Sequence, residues 1–252
     1  MDVGLRVLRG CGALLGRVFA AVPAAGSGTR MGLGYSKAFA DLEGIPLLGR
    51  TLMALFRSPF IDHVTVAIRS DEVDLCEREV ITKAGFSGRV SVVRGGEERQ
   101  MTVLNLLSEA PPDRDLVLIH DGARPFVNTS LIREVLEAAR EWGAATAGLE
   151  LTDTIKESAD GGKTVHSTVD RTTLFRAQTP QAFQRDLILG AHRRARKEGW
   201  QATDDASLVE RLGGVVRIVP GDARNMKLTS RQDLEMARWI LRSGVFQDRE
   251  EA

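Results

Sequence analysis

Apolar runs alternate with amphipathic stretches along most of the chain. Six short runs rich in Val, Ile, Leu and Ala show little polar alternation, which is typical of strands buried on both faces of a parallel sheet. The predicted strands are Val18–Val22, His63–Ile68, Val90–Val93, Leu116–His120, Ala144–Leu149 and Val215–Val219. The intervening stretches carry apolar residues at helical spacing. The predicted helices are Pro46–Phe56, Asp71–Ala84, Arg99–Glu109, Thr129–Trp142, Arg185–Glu198, Asp205–Leu212 and Ser230–Arg242.

This alternation of strands and helices predicts the fold class. Strands separated by helices of this length favour a three-layer α/β/α fold around a mostly parallel sheet. Ligands of such sheets bind at the carboxyl ends of the strands. We therefore expect the functional residues in the loops that follow the predicted strands.

One polar segment, Asp153–Arg171, interrupts the alternation. It reads DTIKESADGGKTVHSTVDR, with a turn signal at Gly161-Gly162 between β-branched residues, and this pattern predicts a β-hairpin. A two-stranded ribbon is marginally stable alone. We expect this β-arm to pack against a second subunit, and a solvated surface hairpin is the alternative.

Composition narrows the class of protein. The 252 residues suit one large domain or two small ones, and we assign residues 18–252 to one domain. The 34 basic and 34 acidic side chains balance, so no overall positive field favours nucleic acid. Cys11 and Cys76 are too few for a disulfide framework, which favours a cytoplasmic location. No apolar run approaches the ~20 residues of a membrane span.

Residues 1–17 differ from the rest of the chain. They carry Arg6, Arg9 and Arg17 among small and apolar residues, with Asp2 as the single acid. We expect a disordered or loosely packed extension, and a weak targeting peptide is the alternative.

The loop after the first predicted strand has the composition of a phosphate site. It reads AAGSGTRMG, Ala24–Gly32, and its backbone N–H groups at Gly26–Thr29 can approach phosphate oxygens closely. Met31 stands where the dinucleotide fingerprint G-x-G-x-x-G needs its third glycine. The segment also lacks the G-x-x-x-x-G-K-[ST] pattern of the nucleoside triphosphatases. We therefore expect this loop to bind a phosphate, although it belongs to neither of the two common types.

Five polar or glycine-rich stretches lie at predicted strand ends or in nearby loops. They are Ala24–Lys37, Gly95–Thr102, His120–Pro125, Arg176–Phe183 and Arg224–Thr229, and Thr203–Ser207 reads as a helix start. Together they supply four cations and one acid: Arg30, Lys37, Arg124, Lys227 and Asp121. This set indicates a polyphosphate substrate bound with a divalent ion. Asp121 is a candidate Mg²⁺ ligand, because Mg²⁺ often takes one or two carboxylates and completes its shell with substrate phosphates.

Six motifs in this order make the chain similar to a known family. They are A-A-G-S-G-T-R-M-G with Ser36-Lys37, H-D-G-A-R-P, T-V-D-R, T-P-Q, T-D-D-A-S and N-M-K-L-T. The chain resembles the 2-C-methyl-D-erythritol 4-phosphate cytidylyltransferases from about Val18 to Ile240. The resemblance implies a Rossmann-like sheet and a homodimer in which each β-arm reaches the neighbour's active site. It also implies transfer of CMP from CTP to methylerythritol phosphate, releasing pyrophosphate.

The resemblance also implies roles for individual residues. Arg30 and Lys37 would contact the CTP phosphates and stabilise the transition state, beside a loop formed by Ala24, Ala25, Gly26, Gly28 and Thr29. Gly96, Arg99 and Thr102 fall in the stretch that reads the cytosine. The positions around the acceptor phosphate or the metal are Asp121, Arg124, Thr154, Arg171, Thr179 and Lys227. Among these, Arg171 and Lys227 would position the acceptor phosphate, and Thr154 and Arg171 would come from the partner's arm.

Three departures from the family pattern stand out, and three other functions stay open. Ser36 replaces a common proline, Met101-Thr102 replaces a frequent Asp-Ser, and the acidic residue often seen after the glycine pair is Glu97 here. The nearest alternative is a ribitol-5-phosphate cytidylyltransferase of the same fold. A dinucleotide-dependent oxidoreductase and a non-catalytic dimeric scaffold are the others.

Since the acceptor is already an anion, no general base is needed, and we expect His120 to be packed rather than catalytic.

Overall fold

The computed structural model describes residues 18–26 and 35–245. The strands of this part are β1 Val18–Pro23, β2 Val64–Ile68, β3 Val90–Arg94, β4 Leu116–Ile119, β5 Ala144–Glu150, β6 Ile155–Glu157, β7 Ser167–Val169, β8 Phe175–Gln184 and β9 Arg217–Pro220. The α-helices are α1 Leu47–Phe56, α2 Val73–Cys76, α3 Arg99–Ser108, α4 Thr129–Trp142, α5 Arg185–Glu198, α6 Ala206–Arg211 and α7 Arg231–Ser243. Residues 1–17, including the predicted extension, and residues 27–34 and 246–252 lie outside the described residues.

Seven strands form one sheet in the order β3-β2-β1-β4-β8-β5-β9. The pairs β1–β2, β1–β4, β2–β3 and β5–β9 are parallel. Only β8 among these strands runs antiparallel, pairing with β4 on one side and β5 on the other. The predicted mostly parallel sheet is confirmed.

Alternate side chains of the central strands enter two hydrophobic cores, one on each face of the sheet. In β1, Val18, Ala20 and Val22 pack in one core with α1 and α4. Phe19 and Ala21 pack in the other core with α3, α5 and α6. Because a strand directs successive side chains to opposite faces, an apolar residue at every position requires helices on both sides. The predicted three layers are confirmed.

Side-chain caps mark the start of two of the longer helices, α4 and α7. Asn128 caps α4 by accepting a hydrogen bond from the Leu131 N–H at 2.8 Å, and Gly143 at φ 90° ends the helix. Ser230 and Asp233 form a reciprocal capping box at the start of α7. Such side chains bind backbone N–H groups that have no partner within the helix. The predicted helix Asp71–Ala84 differs, because it is divided into a 3-10 turn, the short α2 and a π turn at Glu77–Thr82.

The strand β8 corrects the sequence prediction most strongly. Arg176–Phe183 was expected to be one of the polar stretches at strand ends, but it lies inside this ten-residue central strand. Its buried polar side chains find partners in the interior: Gln181 Nε2 donates to Thr146 Oγ1 at 3.0 Å and to Asp204 Oδ2 at 2.8 Å. Hydrogen bonds of this kind allow polar residues at positions where the pattern of a buried strand predicts apolar ones.

The predicted β-arm is present as a separate two-stranded sheet. Its strands β6 and β7 pair antiparallel, with Ile155 opposite Val169 and Glu157 opposite Ser167. The connection between them is longer than the tight glycine turn alone. Asp160 organises it by accepting hydrogen bonds from the Lys163 and Thr164 N–H groups at 3.0 and 2.9 Å. The packing of this arm on a second subunit stays a prediction.

The central sheet should carry much of the stability of the domain. Leu118 lies in β4, between β1 and β8, with 0% of its surface exposed. We expect Leu118→Ala to lower the free energy of unfolding by about 2–5 kcal/mol, because it removes buried surface and leaves a cavity. The same substitution at Leu212, which is 41% exposed, should cost less than about 1 kcal/mol. Urea unfolding measures both, and equal losses would contradict the assigned core.

Candidate active site

A cavity of about 170 Å³ opens at the carboxyl ends of β1 and β4, where ligands of parallel sheets bind. Five parts of the chain form its walls: the end of β1 with the residues after it, the 3-10 turn that starts at Lys37, the loop between β3 and α3 with the start of α3, the loop after β4, and the loop before α7. The lining residues are Pro23, Ala24, Ala25, Gly26, Lys37, Ala38, Gly96, Glu97, Glu98, Arg99, Thr102, Asp121, Gly122, Ala123 and Lys227. The location agrees with the prediction from the sequence.

The structure brings nine of the predicted site residues to this cavity. They are Ala24, Ala25, Gly26, Lys37, Gly96, Arg99, Thr102, Asp121 and Lys227. Arg124 and Thr179 are buried directly behind Asp121. Thr154 and Arg171 are exposed on or beside the arm and do not line the described cavity of their own chain. Gly28, Thr29 and Arg30 lie outside the described residues.

Three cations surround the carboxylate of Asp121. Lys227 Nζ lies 2.8 Å from Oδ2, Arg124 Nε lies 3.5 Å from Oδ2, and Arg99 Nη2 lies 3.8 Å from Oδ1. The side chain of Asp121 is 10% exposed, so water solvates this charge poorly. Because Lys227 comes from the loop before α7 and Arg99 from the start of α3, the carboxylate joins distant segments.

The same contacts determine the protonation state of Asp121. Burial by itself would raise the pKa of the carboxyl, but the charges of Lys227, Arg99 and Arg124 outweigh burial and hold the pKa well below its usual range. Asp121 is therefore ionised throughout the neutral pH range. An ionised carboxylate in the cavity can orient Lys227 or bind a cation.

Thr102 holds the glycine loop of the cavity in place. Its Oγ1 accepts a hydrogen bond from the Gly96 N–H at 3.0 Å and donates to the Glu98 carbonyl at 3.0 Å. A side chain at Gly95 would place its Cβ 2.3 Å from the Cβ of Ala25, so only glycine permits this approach of the two cavity loops. The hydroxyl retained at position 102 therefore keeps a structural role despite the departure from the family's serine.

A buried layer behind the cavity supports Asp121. Thr179 Oγ1 accepts a hydrogen bond from the Asp121 N–H at 3.0 Å. The Arg124 guanidinium donates through Nη1 to the Asn225 carbonyl at 2.7 Å, and the Asn225 amide donates to the Thr179 carbonyl at 2.7 Å. Arg124 is 7% exposed and Thr179 is 5% exposed. In the described structure, these residues position the site rather than line it.

His120 belongs to this layer, as the sequence analysis expects. Its Nε2 lies 3.1 Å from the Arg124 carbonyl and its Nδ1 lies 3.3 Å from Thr179 Oγ1. These partners favour a neutral ring that donates from Nε2 and accepts at Nδ1. Burial lowers the pKa of His120 to about 4, so the ring does not titrate near neutral pH.

On the arm, Arg171 starts the 3-10 turn Arg171–Thr173, and its guanidinium hydrogen-bonds to the carbonyl of Thr152. Asp170 caps that turn by accepting from the Thr172 N–H at 2.9 Å. Arg171 and Thr154 thus sit close together at the base of the arm, both exposed. Exposed side chains at the base of the arm can contribute to a binding site on another molecule.

The sequence analysis missed two residues, Asp205 and His192, that lie behind the cavity wall and support it. Asp205 is 1% exposed and bonds Arg99 Nη2 at 2.6 Å, while His192 Nε2 lies 3.1 Å from its other oxygen. The motif that contains Asp205 was recognised as a helix start. Its contact with Arg99, 106 positions away, leaves no signal in the spacing of one sequence.

Similarity to known proteins agrees with the geometry. The sequence profile of the family described as 2-C-methyl-D-erythritol 4-phosphate cytidylyltransferase matches residues 18–243. The chain belongs to this family. A relative of that name from Geobacter metallireducens is 43% identical over 228 residues, covering 89% of this chain and 97% of the relative.

Two solved structures are similar over most of their length. The crystal structure of 4-diphosphocytidyl-2C-methyl-D-erythritol synthase from Anaerococcus prevotii has a TM-score of 0.79 at 30% identity, covering 92% of this chain and 98% of the other. The 2-C-methyl-D-erythritol 4-phosphate cytidylyltransferase from Thermus thermophilus has a TM-score of 0.73 at 35% identity, covering 90% and 99%. The fold expected from the resemblance is confirmed.

Burial of neutral His120 makes folding dependent on pH. A histidine whose pKa is lower in the folded state than its ordinary 6.5 binds fewer protons when folded, so stability falls as pH decreases from about 6.5 towards about 4. We expect His120 to make the protein about 2 kcal/mol less stable at pH 5 than at pH 7. Urea unfolding of wild type and His120→Gln at both pH values measures this difference. Identical pH dependence in the two proteins would contradict a buried neutral ring.

Proposed function

We propose that this protein transfers CMP from CTP to 2-C-methyl-D-erythritol 4-phosphate, producing 4-diphosphocytidyl-2-C-methyl-D-erythritol and pyrophosphate in non-mevalonate isoprenoid biosynthesis. The observation that carries the proposal is the meeting of Lys37, Lys227 and the Ala24–Gly26 backbone in one cavity of a chain that belongs to this family. Positive side chains and exposed backbone N–H groups are the partners that phosphates need.

The chemistry requires charge rather than a general base. The acceptor phosphate is already a nucleophile, and it must approach the α-phosphorus of CTP although both are anions. Attack forms a P–O bond to the acceptor and breaks the bond to pyrophosphate in line. Lys37 neutralises the charge that develops on the phosphates, and Lys227, oriented by Asp121, positions the acceptor phosphate. We propose that Arg30 shares the task of Lys37.

A divalent cation fits this site only with the help of the substrate. Among the described residues, no group of three or more His, Cys, Asp or Glu side chains could hold a metal ion. Asp121 presents an ionised carboxylate to the cavity, which suits Mg²⁺ bound mainly by nucleotide phosphates. When bound, the ion would neutralise phosphate charge. We propose Asp121 as its protein ligand.

We also propose a cytoplasmic homodimer in which each arm completes the neighbour's site. Thr154 and Arg171 are exposed at the base of the arm, and neither lines the described cavity of its own chain. A second copy can bring Arg171 to the acceptor phosphate, where a bidentate guanidinium is well suited. No helix in residues 18–26 and 35–245 has the length and apolar character to cross a membrane. The balanced total charge gives no support to a nucleic-acid partner.

The alternative acceptor, ribitol 5-phosphate, is not favoured, because the family profile and the similar proteins are named for methylerythritol phosphate. Pyrophosphate release from CTP and Mg²⁺ with each acceptor tests the assignment. We expect turnover with methylerythritol phosphate, little with ribitol phosphate, and none after chelation of the metal. Preference for ribitol phosphate would overturn the proposed acceptor.

Lys37→Ala should slow turnover by about 10²–10³-fold, the usual effect of losing one transition-state donor.

Mixing two inactive variants tests the exchange of arms. In a dimer of one Lys37→Ala chain and one Arg171→Ala chain, exchanged arms place both defects in one site and leave the other intact. Random mixing then restores about one quarter of the sites. If each arm serves its own chain, every site keeps one defect and no activity returns. Wild type mixed with Lys37→Ala, carried through the same denaturation and refolding, controls for recovery of active dimers.

A further inference from the structure

A chain of hydrogen-bonded and ion-paired side chains runs from the protein interior to the cavity. It starts at His192 on α5, passes through Asp205 at the start of α6 and Arg99 at the start of α3, and reaches Asp121. Asp205 and His192 are buried at 1% exposure each, and neither lines the cavity. The transfer reaction described above assigns them no part.

Both oxygens of the Asp205 carboxylate are engaged. Arg99 Nη2 donates to Oδ2 at 2.6 Å, and His192 Nε2 lies 3.1 Å from Oδ1. Two contacts on opposite oxygens leave the buried carboxylate little freedom to rotate. Charge-assisted hydrogen bonds are among the strongest in proteins, so the carboxylate holds Arg99 at a fixed place in the cavity wall.

The guanidinium of Arg99 stands between two carboxylates. The nitrogen that bonds Asp205 at 2.6 Å is the same nitrogen that lies 3.8 Å from Asp121 Oδ1. Without the charge of Asp205, this nitrogen is free to move to Asp121, whose other oxygen, Oδ2, already binds Lys227 Nζ at 2.8 Å. Arg99 would then leave the cavity wall beside Gly96 and compete with Lys227 for the carboxylate of Asp121.

We propose that Asp205, oriented by His192, is a positioning residue that holds Arg99 in the nucleotide-binding wall and away from Asp121. This inference rests on the proposed function, because it assumes that CTP occupies the cavity. Asp205 touches neither substrate; it acts through Arg99 alone. Its removal should therefore weaken CTP binding only when Arg99 is present.

A double-mutant cycle tests this dependence. Calorimetric titration with CTP and Mg²⁺ gives the Kd of wild type, Asp205→Asn, Arg99→Ala and the double variant. We expect Asp205→Asn to raise Kd about tenfold in wild type and less than about twofold in the Arg99→Ala background. An unchanged Kd in Asp205→Asn, or an equal increase in both backgrounds, would overturn the proposal, since a merely structural role does not require Arg99.

Asp204→Asn is the matched control. It removes the same charge one residue earlier, but Asp204 bonds Gln181 Nε2 at 2.8 Å rather than Arg99. We expect its Kd to stay within about twofold of wild type, and a tenfold increase here would contradict a specific role of Asp205.

Should Asp205→Asn fail to fold, His192→Leu replaces it, because it frees one oxygen of Asp205 while the charges of Asp205 and Arg99 both remain. Its smaller effect, about threefold, must again vanish without Arg99.

Activity separates this inference from the proposed function. If wild type binds CTP but transfers nothing to either acceptor, the proposed function fails and the Kd cycle still decides the role of Asp205. If wild type is active and the cycle shows no coupling, the positioning role alone is wrong. If wild type does not bind CTP, both fail.

Discussion

The candidate site depends on one buried negative charge, the carboxylate of Asp121. A carboxylate with so little contact with water is costly unless cations surround it. Lys227, Arg99 and Arg124 meet this requirement, and they come from three separate parts of the chain. The fold therefore gathers positive groups at the cavity to satisfy Asp121, and the same groups are those a phosphate substrate needs. Under the proposed function, stability of the fold and recognition of an anion arise from the same arrangement.

The sheet makes this arrangement possible. Asp121 follows β4, which lies between β1 and the antiparallel β8, so the carboxylate stands at the centre of the edge where ligands bind. Thr179 of β8 fixes the backbone of Asp121, and the phosphate-directed loop follows β1 on the other side. The interior of β8 carries polar partners for the residues behind the cavity. An apolar strand at this position would leave the Asp121 N–H without the partner that Thr179 provides.

The sequence predicted the features that local patterns encode. Strands buried on both faces, amphipathic helices such as α4 and α5, and the hairpin of the arm all follow from spacing and turn residues. The strand β8 escaped prediction because Gln178, Thr179 and Gln181 are polar, and their burial depends on partners that only the fold supplies. In the same way, ordered motifs identified Asp121 and Lys227, whereas the contact of Asp205 with Arg99 required the structure.

The charge balance of the cavity bears on two contributions that we propose from outside its described walls: a divalent ion and an arginine of a second subunit. Asp121 and Asp205 neutralise two of the three cations Arg99, Arg124 and Lys227, so these five groups together carry only one positive charge. Lys37 adds one more, and Glu97 and Glu98 in the cavity wall bring the net charge of these eight side chains to zero. A nucleoside triphosphate and a second phosphate bring several negative charges, which these described side chains do not balance. The deficit is the physical argument for our two proposals of a divalent ion on the phosphates and of Arg171 from a partner's arm. Under these proposals, the site attracts substrate weakly until the ion and the second subunit are in place, and assembly of the dimer would be coupled to catalysis.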